Sequence, residues 1–125
     1  MSQLSATQAF PGRKLNIALW GLQALLAAAF LAAGGSKLAG VPQMVALFDQ
    51  IGVGQWFRFV TGTIEVVAGI SLFVPRFTPY AAGILSTTMV CAFGAHLFFI
   101  GGNPVAAAVL AVLSGFVAYS RWPRT

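Results

Sequence analysis

The sequence predicts an all-α membrane protein, an up-down bundle of four transmembrane helices with a short interfacial helix between the first two. Three observations carry that expectation. Of the 125 residues, 58% are hydrophobic and only 7% charged, where soluble domains carry about 25% charged residues, and the mean hydropathy is +0.86. Four apolar runs, residues 15–37, 57–74, 79–100 and 104–120, each come close to the roughly 20 residues that cross a bilayer. The breaks between the later runs are short and rich in Pro and Gly, and short connections make consecutive helices antiparallel neighbours.

Residues 1–14 read as a polar cytoplasmic tail, residues 15–120 as the transmembrane domain and residues 121–125 as a cytoplasmic C-terminal tail. The first run begins after Arg13 and Lys14. Its apolar core outlasts the roughly 7–15 residues of a secretory signal, which argues against cleavage. The break that follows contains Pro42, suited to open a helix, and Gly52, suited to close one. Between them Met44, Val45, Leu47, Phe48 and Ile51 share one face. That pattern is too short to span and predicts a helix lying on the bundle or among headgroups. Val74-Pro75-Arg76-Phe77-Thr78-Pro79 and Gly101-Gly102-Asn103-Pro104 are the remaining turns.

The net charge of +5 does not point to nucleic acid. The basic residues stand singly or in pairs at the ends of apolar runs and form no patch. They read instead as orientation signals. With the N-terminus inside, Arg13, Lys14, Arg76, Arg121 and Arg124 fall on the cytoplasmic side and Lys37 and Arg58 on the other. That excess predicts both termini in the cytoplasm and a place in the cell's inner (plasma) membrane. Trp56, Tyr119 and Trp122 near span ends fit the membrane interface.

Candidate function concentrates on one residue. Asp49 and Glu65 are the only acids, and Glu65 lies mid-way along the second apolar run. A carboxylate in hydrocarbon is costly and normally faces protein, where it finds a partner. At about 100° per residue, Glu65 shares a face with Arg58, Thr61, Gly62, Gly69 and Leu72, while Phe59, Val60, Ile64, Val67, Ile70 and Val74 form the back. Glycines on the Glu65 face favour close helix approach. On the first run Lys37 shares a side with Gln23, Leu26, Phe30, Ala33 and Gly34; on the third His96 shares one with Leu85, Met89 and Ala92, and Cys91 lies on the far side. Ala107, Ala111, Ser114 and Ala118 make a small-residue packing seam on the fourth. Lys37, Arg58 and His96 all fall toward the outer ends of their helices. An intramembrane polar cluster of Lys37, Arg58, Glu65 and His96 is therefore the expected binding site. Two cations against one carboxylate would leave it net positive and attractive to an anion or a polar headgroup.

Other chemistries find little support. A single His and a single Cys with no paired ligand spacing predict no metal site. A lone His96 does not supply a bis-His haem site. Gly34-Gly35-Ser36-Lys37 lacks the spacing of a phosphate-binding loop. No nucleophile–base–acid arrangement is readable, so the chain is not expected to be an enzyme by itself.

Several motifs together resemble the DoxX-like family of small membrane proteins: Ala33-Gly34-Gly35-Ser36-Lys37-Leu38, then Phe48-Asp49-Gln50-Ile51-Gly52, then Gly62-Thr63-Ile64-Glu65-Val66-Val67-Ala68-Gly69, then Leu72-Phe73-Val74-Pro75. The resemblance implies a four-helix membrane bundle with Lys37 and Glu65 at the family's basic and acidic positions. It further implies an accessory or assembly subunit of a membrane redox complex, with quinone as the one cofactor to consider and redox-complex subunits as partners. Two alternatives stand beside it: a small-molecule site in the polar pocket, and a transporter, which would need a homo-oligomer because four short helices enclose little volume.

Overall fold

In the computed structural model, which describes residues 12–123, the chain is all-helical. Five α-helices follow one another: α1 (Arg13–Ala39), α2 (Pro42–Ile51), α3 (Trp56–Ser71), α4 (Thr78–Ala95) and α5 (Val105–Arg121). A π-helical stretch, His96–Ile100, continues α4. The expected tail over residues 1–14 falls largely outside the described residues, and the helix begins at Arg13, two residues before the apolar run itself.

The ends of the helices follow from local chemistry. Gly40 closes α1 in the left-handed conformation (φ 71°), donating its N–H to Lys37 O. Gly52 closes α2 likewise (φ 86°), and Pro42 occupies its first turn, where a missing N–H costs no helical bond. Thr78 begins α4 and ties it to the preceding turn, its Oγ1 donating to Leu72 O and to Val74 O, each at 3.0 Å.

One core joins four helices. Leu19, Leu26, Ala27 and Phe30 of α1 meet Ala68 of α3, the adjoining Leu72, then Ala81, Ala82, Leu85 and Met89 of α4 and Val117 of α5. α1 packs chiefly on α3, and α4 on α5. Ser86 Oγ donates across the second pair to Ala111 O at 2.8 Å. The short α2 lies against α1, α3 and the π-helical stretch. Its Gln50 Nε2 reaches Ile100 O at 3.2 Å, and Phe48 meets Phe57 edge to face at 5.9 Å.

The outer surface is apolar. Phe59, Val60, Val67 and Ile70 project outward from α3, Leu97, Phe98 and Phe99 from the π-helical stretch, and Val109, Val112 and Phe116 from α5. Two helical segments, Arg13–Ala39 and Thr78–Ile100, are long and apolar enough to cross a membrane; Val105–Arg121 is apolar but shorter. α3 has 16 residues, about 24 Å at 1.5 Å per residue, because the predicted run over 57–74 ends in non-helical turns after Ser71.

Candidate functional site: a carboxylate–ammonium pair beneath an apolar pocket

The site begins with two glycines. A Cβ on Gly34 would lie 2.8 Å from Gly62 O and 2.8 Å from Val66 Cγ2, and one on Gly62 would lie 3.0 Å from Gly34 O and 3.0 Å from Lys37 Cβ. A side chain at Gly34 would force a shift and one at Gly62 would crowd the facing backbone, so α1 and α3 cross in backbone contact. Three residues on from each glycine, on the same helical face, stand Lys37 and Glu65. The crossing thus sets them against each other, with Lys37 Nζ 2.7 Å from Glu65 Oε1.

Glu65 is buried, at 1% exposure. Its one charged neighbour, the Lys37 ammonium, stands against Oε1, and Oε2 has no hydrogen-bond partner among the described residues. A buried acceptor left unpaired is costly, and in native proteins such a group calls for an explanation. The explanation here is the space beside it. A cavity of about 450 Å³ is walled by α1, α2, α3, α4 with its π-helical extension, and α5. Lys37, Glu65 and His96 line it, together with Met44, Phe48 and Leu110. The apolar face of α2 expected from the sequence covers it, four of its five members being on the wall.

Lys37, Glu65 and His96 therefore share one pocket, and Arg58 does not line it. Arg58 is buried but turned toward the end of α1: its Nη1 donates to Lys37 O, its Nε donates to Gln55 Oε1 at 2.8 Å, and its guanidinium lies 4.3 Å over the Phe59 ring. A cation at a helix C-terminus meets the negative end of the helix dipole. With Arg58 committed there, the pocket holds one carboxylate and one ammonium rather than a net positive cluster. His96 Nδ1 lies 2.9 Å from Gly101 O. Cys91, on the flank of α4 away from His96, also reaches the wall. Asp49 is exposed and accepts from Gln55 Nε2 at 2.8 Å. Among the described residues no three His, Cys, Asp or Glu side chains gather as a metal site would require.

A second polar network escaped the sequence reading. Gln23, fully buried, donates to Leu72 O at 2.7 Å and accepts from Arg121 Nε at 2.8 Å. Arg121 Nη1 donates to Asn16 Oδ1 at 2.6 Å, and its guanidinium lies 5.6 Å from the Trp20 ring. The signal available was Asn16 and Gln23, seven residues apart and so on one face of α1. Arg121, half-buried at the end of α5, is thus a tie between α1 and α5 through neutral acceptors rather than part of a tail.

An all-helical chain with an apolar exterior, long apolar helices and an interior ion pair has the makings of an integral membrane protein with a buried polar site. The model of the DoxX-like family matches residues 21–120, and the chain belongs to that family. The match takes in all four residues of the expected cluster. No curated protein and no solved structure matches the chain.

Proposed function

We propose that four helices, α1, α3, α4 and α5, cross the cell's inner membrane, and that the pocket they enclose binds one small, largely apolar molecule whose polar end meets Lys37 and Glu65. One observation carries the reading: a carboxylate 1% exposed, with an unpartnered oxygen, on the wall of an apolar cavity of about 450 Å³. That volume lies within the roughly 300–1,000 Å³ of small-molecule sites, which pair apolar walls with a few placed polar groups. The outward Phe59, Val60, Val67 and Ile70 support a membrane setting for the shorter α3, since water-exposed apolar faces of that extent are unusual in monomeric soluble proteins. No reaction is assigned to the pocket.

An accessory subunit of a redox complex, the role the family resemblance implies, would instead use the outer helix faces. The two readings separate on one comparison. Wild-type protein and Glu65→Gln are purified from native membrane, shown to be equally helical by circular dichroism, and extracted for mass spectrometry of small molecules and of copurifying proteins. A small molecule enriched with the wild type and depleted at least fivefold in Glu65→Gln is the expected result. An unchanged small-molecule profile with the same protein partners in both samples overturns pocket binding in favour of the accessory role.

A further inference from the structure

Which polar end fits the pocket is set by the hydrogen-bonding groups of its wall. Thr61 Oγ1 donates to Phe57 O at 2.6 Å and Thr88 Oγ1 to Ile84 O at 2.8 Å, so both hydroxyl protons are committed within their own helices. His96 Nδ1 faces Gly101 O at 2.9 Å. A carbonyl oxygen only accepts, so Nδ1 carries a proton, and a ring bearing that one proton presents Nε2 as an acceptor. Cys91 offers only a weak S–H. Glu65 Oε2 accepts no hydrogen bond from the described residues. The one strong side-chain donor left on the wall is Lys37 Nζ, with three N–H groups and Glu65 Oε1 as its sole partner among the described residues.

Lys37 sits against Oε1, and no other side chain among the described residues of the wall brings a strong donor to Oε2. A ligand ending in a carbonyl or ether oxygen would take an N–H from Lys37 and still leave Oε2 bare. An anionic end would place like charge beside the carboxylate, and a cationic end would place it beside the ammonium. A hydroxyl satisfies both groups at once: its O–H donates to Oε2 and its lone pair accepts from Lys37. Resting on the pocket reading above, we infer that the bound molecule is a neutral alcohol or phenol with an apolar body, held through a hydroxyl bridged between Glu65 Oε2 and Lys37 Nζ.

The test uses the full-length protein in nanodiscs and two probes, 4-hexylphenol and its methyl ether 4-hexylanisole, in equilibrium dialysis against empty nanodiscs. The expected result is saturable binding of the phenol with a Kd at least about tenfold below that of the ether, the equivalent of roughly 1.4 kcal/mol. In Glu65→Gln that ratio falls below about threefold, because the carboxamide brings a donor of its own. Equal binding of the two probes by the wild type overturns the hydroxyl inference and leaves the pocket standing. Saturable binding of neither overturns the pocket and the inference together. A ratio unchanged in a folded Glu65→Gln removes Oε2 from the contact. The wild-type pair decides the matter even if that variant fails to fold.

Discussion

At the scale of single residues, the energetics turn on Lys37 and Glu65. Removing two charges from water costs several kcal/mol per ion, and their attraction offsets this only with good geometry and further hydrogen bonds. The pair has contact distance but leaves Oε2 without a further hydrogen bond among the described residues, so its net worth to stability is small, whereas the cost of halving it is large. Lys37→Met leaves a buried carboxylate uncompensated and is expected to destabilise by about 3 kcal/mol. The double variant Lys37→Met with Glu65→Leu is expected to recover most of that loss, as read by thermal melting followed by circular dichroism in detergent. A double variant less stable than Lys37→Met would show that the pair is a net stabiliser. Ser114 is a simpler case. Its side chain is fully buried and its Oγ has no partner among the described residues, so Ser114→Ala is expected to raise stability by about 1 kcal/mol in the same assay.

The meeting of Lys37 with Glu65 was legible in the sequence because each lies on a helical face marked by small residues. The place of Arg58 was not. Its Cα lies on the Glu65 face, but a long side chain is directed by the acceptors within its reach, here Lys37 O and Gln55 Oε1. Arg121 was hidden for the same reason, since its partners Asn16 and Gln23 lie about 100 residues away along the chain.

At the scale of helices, the α1–α3 crossing is the element on which the site depends. Gly34 and Gly62 are each packed within 3.0 Å of where a Cβ would stand, and the neighbouring atoms include backbone oxygens that cannot swing aside. Gly62→Leu is expected to push the helices apart, cost about 3 kcal/mol or more from overpacking, and abolish probe binding. Gly35→Ala, on the facing helix α1 one residue from Gly34 and in open space, is expected to change neither; it is the control beside the same crossing. If Gly62→Leu melted and bound like the wild type, the close crossing would not be what aligns the pair.

The helical runs were readable from hydropathy, and α2 from its Pro42 and Gly52 bounds. The π-helical stretch His96–Ile100 had no such mark, because one added residue in a turn leaves an apolar sequence apolar. The breadth of the pocket was hidden too. Cys91 and His96 lie about 140° apart around a regular helix, yet both reach the wall, since five helical segments stand back far enough to expose two flanks of α4 to one cavity.

For the whole molecule, the distribution of charge fixes how the bundle should sit. Lys37, Arg58 and the Lys37–Glu65 end of the pocket lie at one end of the helices; Arg121, Arg13 and Arg76 lie at the other. Cytoplasmic loops carry the excess of Lys and Arg. In the proposed four-span arrangement the pocket is therefore expected to face the outer half of the bilayer, under α2. In a Cys91→Ser background, Val53→Cys samples the turn between α2 and α3, and Phe77→Cys the turn between α3 and α4; both positions are exposed. A membrane-impermeant maleimide applied to intact spheroplasts is expected to label Val53→Cys and to spare Phe77→Cys until the membrane is opened. The reverse pattern would turn the molecule over and place the pocket mouth on the cytoplasmic side. Labelling of both sites in intact spheroplasts would mean that α3 does not cross, and would remove the four-span arrangement on which burial of Glu65 within the bilayer depends.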